Sequence, residues 1–297
     1  MSQAHTDKTN CALCQIQPMD EESHIVPAFI YRWIKETSPT GFLRNESNQN
    51  LRVQDGEKYP LLCKKCEDHF SVLEGKFANK VFYPLTQSTG KQIFYDDSLL
   101  KFCVSILWRT LHHVWLHNPP EDDPLPANFE GKLEPVYNRW RQFLLGQVEH
   151  PGEYEVHLFP MGLIDGGNLP ENPGRINTYL TRGTEITLIS NRVRGYVYVY
   201  LPNILLLGRV YDFQPKFGEC SRIRVRKGVI GSKNYKITQD IINYIFEKAR
   251  QIEKTAEALS PKQAAKIKDA VTKNLKRLRN SECFEAGLRD FTLKKKQ

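Results

Sequence analysis

Cys11-Ala12-Leu13-Cys14, Ser23-His24-Ile25-Val26-Pro27 and Leu61-Leu62-Cys63-Lys64-Lys65-Cys66 are the segments on which the fold turns. Each Cys-x-x-Cys puts two thiolates on one side of a small, borderline-soft cation, so two of them make a tetrahedral four-cysteine zinc site. A gap of 48 residues separates the pairs. One such pair says little. Two, with a coherent segment between them, favour structural Zn2+ over buried reduced thiols or redox chemistry. The order also matters: a knuckle, an extended stretch, then a helix whose first turn carries the last two cysteines is what a treble clef requires.

Working outward, the residue before a proline avoids the helical region, so Ser23 to Pro27 reads as extended. Ala28 to Lys35 reads as a short helix and residues 41–50 as loop. Leu51 to Gln54 followed by Asp55-Gly56 suggests a strand and a tight hairpin turn. Beyond Cys63, Phe70, Leu73, Phe77 and Val81 recur at helical spacing. Residues 98–117 form a long helix with Leu99, Phe102, Cys103, Ile106, Leu107, Val114 and Trp115 on its buried side. The four prolines of residues 118–126 mark a linker, and Leu133 to Leu145 a second helix. From about residue 154 the pattern turns to β, with Tyr154–Phe159, Ile186–Ile189, Tyr196–Tyr200, Ile204–Leu207 and Ile223–Lys227 as strands of an antiparallel sheet. Helices return after Thr238. Ser260-Pro261 is an N-cap and first-turn pair opening a helix over Ala264–Leu278.

The expected class is α+β, in five parts. A flexible N-terminus (1–10) precedes a four-cysteine treble-clef module (11–97), a helical segment (98–150), an antiparallel β-rich domain (151–239) and basic C-terminal helices with a tail (240–297).

Composition is that of a globular chain, 40% hydrophobic and 26% charged. No stretch approaches the ~20 apolar residues of a membrane span. Met1 to Lys8 is polar, without a signal-peptide core. A soluble cytoplasmic protein without membrane partners and without a disulfide framework is therefore expected. The net charge of +8 is unevenly placed. Residues 1–97 carry 11 basic and 13 acidic side chains, whereas residues 240–297 carry 14 and 8. Phosphate attraction, if nucleic acid is the partner, comes from the C-terminal half. The alternative is a solvated surface with a disordered tail at Lys294-Lys295-Lys296.

Residues 11–82, about a quarter of the chain, resemble the zinc-binding branch of the HNH (ββα-metal) endonucleases. That family carries a Cys-x-x-Cys knuckle, a His-Ile-x-Pro strand and a Leu-Leu-Cys-x-x-Cys element opening a helix. The resemblance implies a metal-dependent endonuclease with DNA or RNA as partner, and activity controlled by a protein partner, as in bacterial defence. His24 falls on the family's general base, while the four cysteines are scaffold. Two positions depart from the pattern. Ser23 stands where the family carries a metal-binding Asp. Glu67 stands where it carries a metal-binding His; a carboxylate suits Mg2+ or Mn2+, because hard cations prefer oxygen. Glu67 and Glu74 are two helical turns apart and share a face, so they are expected to converge. Asn48 and Asn50 are loop candidates for the family's middle Asn. Equally, His24 braces the module and Glu67 and Asp68 answer the helix dipole. The competing function is then a catalytically silent zinc module that binds nucleic acid or a protein.

Other signals are weaker. His113 and His117 have metal-ligand spacing on a helix, but no carboxylate follows in step, and core or surface histidines are the simpler account. His69 reads as exposed helix surface. Trp108, Trp115, Trp140 and Cys103 read as core, and Cys220 and Cys283 have no visible partner. Arg222, Arg224 and Arg226 share one face of the last strand by its period of two. With Arg192 and Arg194 they form a candidate nucleic-acid stripe, or an edge guarded by charge. No P-loop, Rossmann glycine pattern, Gly-x-Ser-x-Gly or kinase motif is present.

Overall fold

Asp97 to His112 form the helix α4, around which the chain is built. From Ser98 to His112 every residue except Lys101 is buried, and a helix apolar on all sides must lie between other layers. The computed structural model describes residues 10–19, 21–45, 48–87, 92–117, 127–213, 217, 219–231 and 235–295; the proline-rich linker lies outside them. The fold is α+β, with antiparallel sheets, an N-terminal cysteine cluster and C-terminal helices. No helix among the described residues is long and apolar enough to cross a membrane.

One flank of α4 meets the N-terminal module. This comprises β1 (Glu21–His24), α1 (Ala28–Glu36), β2 (Leu43–Arg44), β3 (Arg52–Val53), β4 (Lys58–Leu62) and α2 (Lys64–Phe77). A π-helical turn (Ala78–Phe82), α3 (Tyr83–Gln87) and β5 (Ile93–Tyr95) lead into α4. Asp96 caps α4 by accepting from the Ser98 N–H. Phe77 of α2 stacks on Phe102 of α4 with ring centroids 3.8 Å apart. The long helix expected over 98–117 is regular only to His112; residues 113–117 widen into a π-helical turn.

Within the module, β1 pairs with β4 and β2 with β3, both antiparallel. The expected hairpin at Asp55-Gly56 does not form, and the supposed loop 41–50 supplies β2 instead. Gly56 does not adopt the left-handed conformation that a tight two-residue turn needs. It is there because a Cβ would lie 2.0 Å from the Tyr31 ring.

The other flank of α4 covers a four-stranded sheet of β6 (Val156–Pro160), β7 (Glu185–Ser190), β8 (Arg194–Leu201) and β9 (Ile204–Asp212). Its order is β6-β9-β8-β7, antiparallel throughout. Strand alternation sorts the side chains of β8 and β9. Val197, Val199 and Leu206 join a core that continues through α4 to Cys11 and Phe70. Tyr196, Tyr198, Tyr200 and Leu205 face a second core, formed with α7 (Ile176–Arg182), α8 (Gln239–Glu257) and α11 (Glu282–Lys295). Behind α4 lie the short α5 (Ala127–Glu130) and α6 (Leu133–Leu144), whose Trp140 is fully buried, as is Trp108.

Three further expectations are corrected. The arginine strand is absent: Arg222 makes only an isolated bridge to His157, and residues 223–227 form no ladder. The chain dips so that Ile223 is buried and Gly228 lies against Tyr95, where a Cβ would meet the hydroxyl at 2.2 Å. Only then does it pair, as β10 (Gly228–Ile230) with β5. The helix expected over 264–278 is two helices, α9 (Pro261–Thr272) and α10 (Leu275–Arg279). Asn274 breaks it by capping α10, its side chain accepting from the Arg277 N–H. The lysines expected in a loose tail, Lys294 and Lys295, lie in α11.

Distant segments close the chain on itself. Asp290 of α11 accepts from the N–H groups of Asn177 and Thr178, capping α7 in trans. The last carbonyls of α1 and of the turn that follows it receive two guanidinium groups. Arg277 donates to Ser38 and Lys35 at 2.8 Å, and Arg182 to Ile34 at 2.6 Å. Hydrogen bonds from charged donors are worth about 1.5–3 kcal/mol each when half-buried. Arg277→Ala is therefore expected to lower stability by about 1.5–3 kcal/mol in urea unfolding, with Arg277→Lys recovering only part of it because the fork geometry is lost.

Candidate metal centre and the histidine beside it

The knuckle is shaped by its backbone. Gln15 takes φ +59 and its N–H closes on the Cys11 carbonyl at 2.8 Å. The Ala12 N–H donates to the Leu61 carbonyl at 2.9 Å, tying the knuckle to β4. Cys63 is the N-cap of α2 and Cys66 lies in its first turn. The fold thus closes the long gap and brings Cys11, Cys14, Cys63 and Cys66 together, their sulfur atoms all within 4.8 Å of one another. Cys14 Sγ and Cys63 Sγ are 3.8 Å apart, and a tetrahedron with ~2.3 Å zinc–sulfur bonds has edges of about 3.8 Å. Three of the four cysteines are buried and Cys14 half-buried. Four sulfurs in a closed site fit a structural cation such as zinc, with no position left for substrate.

Burial, then the neighbouring sulfurs, push the Cys66 thiol well up. Burial also raises Cys11. At Cys14 burial again acts upward, but the N–H groups of Gln17 and Ile16 and the adjoining thiols outweigh it and bring the group down to about 7. Cation binding must therefore expel protons from this cluster, and its affinity falls with pH.

β1 presents alternate side chains to opposite sides. Ser23, fully buried, donates to Glu67 Oε2 at 2.7 Å. His24 points away from Ser23, its Nε2 3.1 Å from Asp55 Oδ2 and its ring 6.5 Å from that of Tyr31. The His24 side chain keeps 16% of its exposure. Burial acts to raise the Asp55 carboxyl, but the Gly56 N–H, His24 and Lys58 hold it below the usual carboxylate range. The His24 carbonyl accepts from Arg109 at 2.7 Å. Arg109 is itself fully buried and paired with Glu74 at 2.8 Å. Glu67 and Glu74 are taken up by different partners, Ser23 and Arg109.

The remaining candidates are dispersed. Asn50 turns to the C-terminal helices, accepting from the Ser260 N–H, and Asn48 bonds the Asn50 N–H. His69 is exposed. His113 is buried against Tyr59, ring centroids 4.4 Å apart, and the His117 side chain lies outside the described residues. Arg222 pairs with Glu155 at 3.0 Å, while Arg224 and Arg226 are exposed. Cys103 is fully buried, Cys220 exposed and Cys283 half-buried. His157 bonds Ser221 and faces Glu155, in triad order, but Ser221 is only 1% exposed and sealed in the core. Among the described residues the four cysteines are the only group of three or more metal-ligand side chains drawn together.

Arg109 escaped the sequence reading, and Glu74 was read only as a neighbour of Glu67. Asp55 was legible only as a turn residue. A lone arginine within an otherwise apolar helix was the signal for Arg109, since a buried cation requires a partner. No protein-family model matches the chain, and comparisons with curated proteins and with solved structures give no match.

The purified chain is expected to hold one zinc ion. Stripping it with a strong chelator should destabilise the fold by several kcal/mol and make Cys11, Cys14, Cys63 and Cys66 reactive to thiol reagents. Cys63→Ser should mimic the stripped protein, as checked by metal analysis and thermal unfolding.

Proposed function

We propose that this is a zinc-scaffolded, HNH-like protein that hydrolyses phosphodiester bonds in nucleic acid, with His24 as general base. What carries the reading is the meeting of Ser23 and Glu67 at 2.7 Å, on the strand that bears His24 but on its opposite face. These are the two positions at which the ββα-metal family carries its catalytic metal ligands. The zinc cluster supplies the rigid frame and takes no part in the chemistry.

In this mechanism the Asp55 carboxylate, 3.1 Å from His24 Nε2, favours a proton on that nitrogen and leaves Nδ1 to take one from water. The Arg109 guanidinium holds the strand at the His24 carbonyl, so the imidazole is presented by a braced backbone. A divalent cation such as Mg2+ or Mn2+ held through Glu67 would polarise the scissile phosphate, provided the Glu67 side chain leaves Ser23 for the His24 side of β1. The N-terminal module is itself slightly acidic, so the polyanion depends on basic side chains elsewhere. A protein partner controlling access and a cytoplasmic setting belong to the same reading.

A second reading has its own support. The Ser23 hydroxyl already occupies Glu67, and no second group of three metal-ligand side chains gathers among the described residues. On that reading the module binds nucleic acid or a protein without cleaving.

Cleavage of plasmid DNA and of RNA with Mg2+, Mn2+ or Ni2+ separates the two. His24→Ala is expected to lower the rate about 10²–10⁴-fold, the usual worth of a positioned base, with Asp55→Asn intermediate. Glu67→Ala should abolish a weak second-metal site while leaving the zinc in place. Cleavage equal in wild type and His24→Ala, or none on any substrate, assigns the chain to the silent reading.

A further inference from the structure

The positive charge of the C-terminal half is concentrated in one place. Residues 261–279 hold seven basic side chains and one acidic one, a net +6 out of the chain's +8. These residues are α9 and α10, and neither helix has a single buried residue. Helices in proteins draw most of their stability from packing an apolar face. α9 has little of that support, since its apolar face (Ile267, Ala270 and Val271) is only half-buried. It is held by its caps, with the Ser260 side chain accepting from Gln263 N–H and Pro261 in the first turn, and by its two ends.

Both ends are fastened to the zinc module. At the start, the Ser260 N–H donates to Asn50 Oδ1 at 2.8 Å and Gln49 donates to Thr255 at 3.1 Å. Beyond the far end of α9, Arg277 grips the last carbonyls of α1. That grip leads back to the histidine. Lys35, whose carbonyl Arg277 bonds, sends its Nζ to the Gln54 carbonyl at 3.0 Å. The next residue, Asp55, holds His24. Tyr31, beside His24, is four residues before Lys35 and so on the same face of α1. The step from Tyr31 to the Arg277 anchor at Lys35 is about 6 Å along the helix axis, roughly two base pairs at 3.4 Å each.

We infer that α9 and α10 form an arm that takes the sugar-phosphate backbone of a nucleic acid and leads it towards the His24–Asp55 pair. Lys262, Lys266, Lys268, Lys276 and Arg279 are its exposed contacts, while Lys273 is shared with Asp269 at 2.8 Å. The length of α9, about 18 Å, spans some five base pairs. The chemistry of the surface selects the ligand. A protein interface centres on an apolar core and a membrane-bound helix needs an apolar face. α9 exposes no large hydrophobic side chain, and α10 only Leu275. Phosphate contact needs charge alone. The inference takes its ligand class from the nucleic-acid reading above and is independent of catalysis.

The test uses the full-length, zinc-loaded chain, a fluorescein-labelled 25-base-pair DNA duplex and a single-stranded RNA of equal length, without added Mg2+. Affinity is measured against salt for wild type, for the combined Lys262→Gln, Lys266→Gln and Lys268→Gln variant, and for His24→Ala. Because Lys262, Lys266 and Lys268 are all exposed, the lysine variant is expected to keep the fold, as its thermal unfolding will report. It is expected to lose about three from the slope of log affinity against log salt and roughly tenfold or more in affinity at ~0.1 M salt. His24→Ala should keep both. An unchanged slope in the lysine variant overturns the arm. So does wild type that binds phosphatidylserine vesicles but neither nucleic acid. Lysine-dependent binding with His24-independent cleavage sinks the catalytic reading and leaves the arm standing. His24-dependent cleavage with a lysine-independent slope does the reverse.

Discussion

Four sulfur atoms hold the N-terminal part of this chain in register. Residues 11–14 and 63–66 are separated by 48 residues that contain only short strands and one short helix. Closing a loop of that length restricts the unfolded chain by about 4 kcal/mol on the scale used for covalent cross-links. Little else inside the loop could offset that cost, since β2 and β3 are two residues each. The cluster also sets orientation. With Cys63 as N-cap and Cys66 one turn on, α2 can leave the site in only one direction, which carries Glu67 to Ser23 and Glu74 to Arg109.

A second constraint joins this module to the body of the protein. Arg109 is fully enclosed in α4, and an enclosed guanidinium without partners would cost several kcal/mol. Glu74 from α2 and the carbonyl of His24 from β1 satisfy it. Three elements thus meet at one cation, and the strand bearing the histidine is fixed from behind. The ring itself looks the other way, to Asp55 and the partly open side. Rigidity behind and access in front are what a positioned base or a recognition residue requires.

The cysteines were legible because metal-ligand spacing is local chemistry repeated twice. The central helix and the β8–β9 ribbon were legible because their apolar periods are long and regular. The misses share one cause: they depend on what lies opposite a residue in space. Asp55-Gly56 has the composition of a hairpin turn, yet Gly56 is needed for the Tyr31 ring. Ile223 to Lys227 alternates like a strand, yet its pairing with the edge strand β6 stops after the single bridge at Arg222, so the arginines scatter and Arg222 is taken up by Glu155. Asn274 is an ordinary surface residue in sequence, but its side chain starts a new helix and so aims Arg277 at α1. Asp55 could be paired with His24 only once the strand register, His24 opposite Lys58, was known.

The sealing of α1 by Arg277 and Arg182 sets an order of assembly. On the ribosome α1 emerges well before the groups that satisfy its final carbonyls, Arg182 and Arg277. The nascent module can gather its metal early and still have a ragged helix end. It matures only once Arg277 has been made, so a product stopped before that residue carries the cysteine cluster without the finished surface around it.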